Sequence, residues 1–475
     1  MLSKLMNVEK FGARIDELIE AFEPNTSEPR RIRNRTDVWR EVALLKELDV
    51  HAQLKSWRRC MAGKVQSVFA QGVAEIYPDV PFDVISSKSF ATFERYVEQA
   101  LKSRARWVDA TSYVTANRDK LSLLGKTYHR SVDEVPDFPL VTKHAWLLSH
   151  PQELTEDMPL PRFSAEARDE APPRLEGLNS DYVSFLNRYV RRKRTQWNGE
   201  TYRVLDIAPR SNGLDFTFGP SNYFQYINSL ETIAVELADH ALRNGDSLAT
   251  NYLPRRGRPE AIFQFETRSA YAGINCLLLL KDYATGRASD GSVLLGDKFV
   301  LHDRPDDAIE ARNTIHVVPA GGHQPISEQY GNSREVAIWH TVVREFCEEL
   351  FNKQEASEMK HLGQDFLALP QVAPYVSALF RSGAARIFLL GVGLDPVTTK
   401  PEVLVAIVVN WKKATRTMEL KIETNYEGKA IYVTATKEKL FEAANLFRPA
   451  KHLLPAGKSC LLLAALHYDL LMSAV

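Results

Sequence analysis

The sequence predicts an α/β protein: a C-terminal α/β/α sandwich with a mixed sheet, preceded by a largely helical N-terminal region. Three observations carry that expectation. Beyond residue 261 the chain alternates strand-like and helical patterns in the order strand, helix, strand, strand, helix. The run 403–409 is so evenly apolar that both faces of the strand it forms must be covered. Up to about Leu124, apolar residues recur instead at helical spacing, beginning with Leu5, Val8, Phe11, Ile15, Leu18, Ile19 and Phe22. The organisation expected is a helical region over 1–135, a mixed α+β segment over 136–260 with a linker near 164–173, and an α/β domain over 261–475.

At 475 residues the chain is too long for one ordinary domain, and 44% hydrophobic with 25% charged residues supplies ample core material. Lys plus Arg and Asp plus Glu both number 60, so the formal charge is zero, which argues against a general nucleic-acid or acidic-membrane coat. Cys60, Cys276, Cys347 and Cys460 are far apart, without metal-ligand or redox spacing. They read as reduced, mostly buried thiols of a cytoplasmic protein. Charges every few residues in 1–22 interrupt the apolar core that a signal peptide requires. The longest apolar runs, 276–280, 403–409 and 460–466, fall far short of the roughly 18 residues of a membrane span, so no membrane segment is expected.

Helical patterns at 38–48, 54–73 and 90–101 are separated by proline breaks at 24–29 and 78–81. The basic run 29–35 is a solvated loop or a phosphate contact, which leaves a nucleic-acid or protein partner open for this region. Residues 136–173 are rich in proline and acidic residues, with 139–148 as a strand candidate and 164–173 as the linker. A helix over 179–194 ends in Arg191-Arg192-Lys193-Arg194, cations that suit a helix C-terminus or face a phosphate. Strands at 201–207 and 214–218 reverse at Asn212-Gly213, and a helix follows over 223–243. The basic loop 254–259, either a connector or a phosphate contact, leads into a strand-like 261–267. Strands at 274–283 and 298–302 flank the turn Asp290-Gly291-Ser292.

The chemistry concentrates in 317–352, VVPAGGHQPISEQYGNSREVAIWHTVVREFCEELFN. Gly321-Gly322 closes an apolar run, a polar loop follows, and a helical pattern carries Arg344, Glu345, Glu348 and Glu349. On a helix the last three share one face, while Val342, Val343, Phe346 and Leu350 supply a packing face. By itself such a cluster reads as a solvated acidic face or as ligands for a hard divalent cation. Downstream, 366–380 is helical or irregular and 386–394 and 403–411 are strands. A hairpin turn is expected at 425–428, a capped helix after Thr436, and a closing helix over 459–473.

The stretch resembles the Nudix box, G-x5-E-x7-R-E-U-x-E-E-x-G-U with U a bulky apolar residue. Gly322 and Glu328 match its first part, and Arg344-Glu345-Phe346-Cys347-Glu348-Glu349 its second. It departs in three places: fifteen residues separate Glu328 from Arg344, the excess beginning near Gln329-Tyr330-Gly331-Asn332 before a helix capped by Ser333; Phe351-Asn352 stands at the closing Gly-U; and Pro-Gly-Gly is stretched to Pro319-Ala320-Gly321-Gly322. The resemblance implies that 261–475 is a Nudix-like domain and that the substrate is a nucleotide-type small molecule, a nucleoside diphosphate linked to another moiety, cleaved at its pyrophosphate. It further implies that Glu345, Glu348, Glu349 and the Gly322 carbonyl hold Mg²⁺ or Mn²⁺, that Arg344 orients the glutamates, and that Gly321 and Gly322 border the substrate. Glu402, Glu423 and Glu427 are candidates for the general base, and Tyr271, Trp411 and Tyr426 for an aromatic platform. His316, His323 and His340 are expected to be packing or loop residues, since these metals prefer oxygen. The alternative is a Nudix-like sensor that binds a nucleotide without turnover and signals through the N-terminal helices, which could also build a homodimer.

Overall fold

The computed structural model describes residues 79–86, 90–167, 174–190, 198–245, 253–304, 314–326, 334–351, 366–416, 428–445 and 452–475. Of these, 79–109 and 174–190 form one compact unit, and 110–167 with the described residues from 198 onward form another. The expectations for 1–78, for Arg191 to Arg194, for Glu328 and for Glu423, Tyr426 and Glu427 lie outside the described residues.

The first unit holds the greater part of α1 (Phe90–Ala116). Here the buried Trp107 indole donates to the Glu176 carbonyl at 3.0 Å, and Asp79 accepts from Ser180 at 3.0 Å and from the Tyr189 hydroxyl at 2.6 Å. The expected helix of 179–194 is a single turn, Tyr182–Phe185, capped by Asp181 and continued as π-helix over Leu186–Val190.

The second unit contains α2 (Arg118–Tyr128), β1 (Leu147–Leu154), β2 (Arg162–Phe163), β3 (Glu200–Arg210), β4 (Gly213–Asn222) and α3 (Thr232–Asn244). Then come β5 (Gly273–Arg287), β6 (Val293–Asp303), β7 (Thr314–Val317), β8 (Ala320–Gly322) and α4 (Ile338–Phe351). It continues with β9 (Ala385–Leu394), β10 (Pro401–Asn410), β11 (Lys429–Thr434), α5 (Lys437–Asn445), β12 (His452–Leu453) and α6 (Pro455–Leu466), and closes with a short helix, Tyr468–Ser473. Among the described residues nine strands make one sheet, ordered β1-β9-β10-β5-β6-β7-β12, with β11 on β6 and β8 on β5. The β10–β5 and β12–β7 pairs are parallel and the rest antiparallel, so the sheet is mixed and the chain is α/β. A second sheet, β2-β4-β3, has three strands.

Residues 403–409 are covered on both sides, as their composition requires. Val403, Val405, Ile407 and Val409 join one apolar cluster with Val342, Val343, Phe346 and Leu350 of α4, while Leu404, Ala406 and Val408 join another with Cys460, Leu461 and Ala464 of α6. The side-chain period of two sorts the residues between the clusters, and each fully buried aliphatic side chain contributes about 1.5–3 kcal/mol.

Several local expectations are corrected. The strand near 139–148 begins only at Leu147; as an edge strand, β1 tolerates Pro151. Part of the linker is not a free connector, since the Ser164 amide donates to the Phe218 carbonyl at 2.9 Å. The strand-like 261–267 is a 3₁₀ turn, Pro259–Phe263. Arg268 folds it by donating to the Ala261, Ile262 and Gln264 carbonyls, an arrangement no extended segment could offer one guanidinium. Trp411 opens a short helix instead of ending β10, and the closing helix is broken at His467 into α6 and Tyr468–Ser473.

The basic loop 254–259 proves to be a connector where it is buried. Arg256 donates to the Pro396 carbonyl at 2.8 Å, to the Val397 carbonyl, and to His129 Nε2 at 3.1 Å. His129 must therefore accept at Nε2 and donate from Nδ1 to the Pro259 carbonyl, which fixes the neutral tautomer. Burial, then the Arg256 charge, push its pKa down to about 2. The unfolded chain takes a proton near pH 6.5 that the folded chain refuses, so this contribution to stability is complete above pH 6.5 and is lost as pH falls. Urea unfolding of the wild type between pH 6 and 4 should lose about 1.4 kcal/mol per pH unit more than that of His129→Gln.

Candidate active site

The box residues converge on one short strand. Ala320, Gly321 and Gly322 of β8 pair with Asn275, Ile274 and Gly273 of β5, and α4 packs across them. The helix starts at Ile338, with 334–336 in a turn, and Ser333 lies outside the described residues.

The carboxylates do not form a solvated acidic face. Glu345 and Glu349 are buried and Glu348 is nearly so. The Glu345 carboxylate lies against the Cα of Gly321, where any Cβ would collide with it. Arg344 Nη2 donates to Glu345 Oε1 at 2.6 Å and to the Gly322 carbonyl at 3.2 Å, and its Nη1 is 3.9 Å from Glu348 Oε2. Glu349 accepts from the Ala320 amide at 3.2 Å and from Arg304 Nη2 at 3.4 Å. Like charges crowded onto one helix face are thus interleaved with two guanidinium groups. Burial works against the charge of Arg344, but Glu345 and Glu348 outweigh it and hold its pKa above the ordinary value. Removing one partner from such a buried pair costs about 3–5 kcal/mol.

At the position of the Nudix pattern's closing glycine this chain has Phe351, still within α4. Phe351 is buried with its ring 5.4 Å from Phe346 and 4.6 Å from Tyr375, so the end of α4 is locked into the core.

Beside β8 lies a second polar group. Glu402 of β10 is opposite Gly273, which is itself opposite Gly322, and a Cβ at Gly273 would collide with the Glu402 carboxylate. Asn275 Nδ2 donates to Glu402 Oε2 at 2.7 Å and its Oδ1 accepts from His316 Nε2 at 2.9 Å. Burial pushes the Glu402 carboxyl up, with Lys400 and Asn275 pulling back. The Lys400 ammonium is 5.6 Å and 5.3 Å from the ring centres of Tyr226 and Tyr271, and the Tyr271 hydroxyl donates to Gln324 Oε1 at 3.3 Å. Of the expected aromatic platforms Tyr271 therefore borders the box, whereas Trp411 is at the opposite end of β10 from Glu402, about 30 Å along the strand.

The three histidines are buried packing groups. His323 Nδ1 bonds the Thr341 hydroxyl at 2.8 Å between the rings of Tyr202 and Phe218, and burial followed by Arg344 lowers its pKa to about 3. His316 is held well below its ordinary value by burial and by Arg304 and Lys400. His340 is buried in α4.

Sequence reasoning missed Arg304 and Lys400. Each is a single basic residue beside a strand, without motif or spacing, and only the sheet brings them to β8. Among the described residues no three His, Cys, Asp or Glu side chains are gathered closely enough to hold an ion as they stand. No family model matches the sequence, and no curated protein matches it.

The close contact at Gly321 is testable by a double-mutant cycle. Gly321→Ala should cost about 1–3 kcal/mol in urea unfolding, and most of that cost should vanish in a Glu345→Ala background, where the colliding carboxylate is gone.

Proposed function

We propose that this chain is a Nudix-type pyrophosphohydrolase that uses Mg²⁺ or Mn²⁺ to cleave a nucleoside diphosphate linked to another moiety. The observation that carries this reading is the docking of Arg344, Glu345 and Glu349 on the Ala320–Gly322 strand, with Glu348 beside Arg344 and the Glu345 and Glu349 carboxylates buried. The mixed sheet between α4 and α6 supports the finer reading of a Nudix-type sandwich.

The donor set fits a hard divalent ion in kind: three carboxylates within two helical turns, oxygen only, with a glycine that leaves room for Glu345. Glu345, Glu348 and Glu349 would hold it, beside the Gly322 carbonyl, and the bound ion would neutralise phosphate oxygens and acidify a water. Arg344 keeps Glu345 in place through a charge-assisted bond. Lys400 supplies a fixed cation for the diphosphate beside Tyr271. Of the three candidate bases, Glu402 is the one among the described residues: it is anchored by Asn275, and its raised pKa suits a proton acceptor nearer neutrality.

A second reading is a nucleotide sensor without turnover. It is favoured by Phe351, which fills the core where the family has glycine, and by the Arg304 cation already on Glu349.

The test is release of nucleoside monophosphate or phosphate from ADP-ribose, dinucleoside polyphosphates and nucleoside triphosphates with Mg²⁺. Glu349→Gln should lower kcat at least about a hundredfold while its circular dichroism stays unchanged. A silent panel together with thermal stabilisation by a nucleotide recovered intact would favour the sensor.

A further inference from the structure

We infer that Arg304 is a resident counter-ion of the box, which holds Glu349 until a divalent cation displaces it. This rests on the reading above that the box binds metal, and it adds the residue that sets how tightly.

Arg304 directly follows β6, and its amide donates to the Thr314 carbonyl at 2.9 Å, so its backbone is anchored beside β7. Its side chain and that of Glu349 are both buried, and Nη2 stands 3.4 Å from Glu349 Oε1. The Arg344–Glu345 contact, at 2.6 Å, is much tighter. Charge-assisted N–H···O bonds normally close to about 2.7–2.9 Å, so among the described residues Arg304 holds Glu349 more loosely than Arg344 holds Glu345. The other oxygen of Glu349 is kept by the Ala320 amide, so a change of cation need not move the carboxylate.

An ionised carboxylate left buried without a compensating charge is strongly destabilising. A guanidinium is a delocalised single charge, whereas Mg²⁺ or Mn²⁺ is a compact double charge that prefers carboxylate oxygen. The two compete for one oxygen, and Arg304 weakens metal binding in proportion to its hold on Glu349. It also offsets the charge of Glu349 and keeps the site folded when no metal is bound. Without that cation, metal becomes a requirement for stability.

The test titrates Mn²⁺ alone into the full chain, followed by electron paramagnetic resonance, for the wild type, Arg304→Gln and Arg304→Lys, with thermal unfolding of each with and without Mn²⁺. Arg304→Gln should bind Mn²⁺ at least tenfold tighter than the wild type. Its melting temperature should lie below that of the wild type without metal and recover with Mn²⁺. Arg304→Lys, shorter and without the fork, should shift the affinity in the same direction by less. Equal affinity in wild type and Arg304→Gln overturns the inference while leaving the metal site intact. Mn²⁺ binding to none of the three removes the metal reading and this inference with it. Should Arg304→Gln fold in neither condition, an unchanged affinity in Arg304→Lys overturns it.

Discussion

The burial of Glu345 and Glu349 between a helix and a three-residue strand is the constraint on which the site depends. Ionised carboxylates leave water only where hydrogen bonds and counter-charges replace it. Every other feature of the neighbourhood answers that requirement. Gly321 yields the space that Glu345 occupies, the Ala320 amide and Arg304 satisfy Glu349, and Arg344 ties Glu345 to the Gly322 carbonyl. The apolar face of α4 anchors the arrangement through Val342, Val343, Phe346 and Leu350, whose burial holds the charged side chains in place.

The sheet extends the same logic at the β8 end of β5 and β10. Interior strand positions are apolar on both faces, but where β10 begins Glu402, Asn275 and His316 form a hydrogen-bonded series, and Arg118 pairs with Asp395 at 2.9 Å just beyond. Glycine at 273 and 322 keeps side chains out of the lane between these groups. Polar side chains thus gather where the backbone leaves room, and the apolar clusters close the rest.

Much of the fold could be read directly. The even apolarity of 403–409, the Asn-Gly reversal and the cap at Thr436, whose hydroxyl accepts from the Lys439 amide at 3.1 Å, are local signals that neighbours in sequence enforce. Two of the failures share a cause. Residues 261–267 look extended until one arginine gathers their carbonyls, and Arg256 looks solvated until Pro396 and Val397, far along the chain, meet it. Long basic side chains reveal nothing in sequence about which carbonyls or carboxylates they will find.

What the sequence determined by itself was the presence of three carboxylates on one helix face, a packed face behind them and a glycine pair upstream, because helical period and glycine geometry are properties of the chain alone. Whether those carboxylates faced water or the interior, and which cations stood among them, was decided only by the tertiary structure. Arg304 and Glu349 are 45 residues apart, and a Coulombic pairing of that kind exists only once β6, β8 and α4 have been brought together.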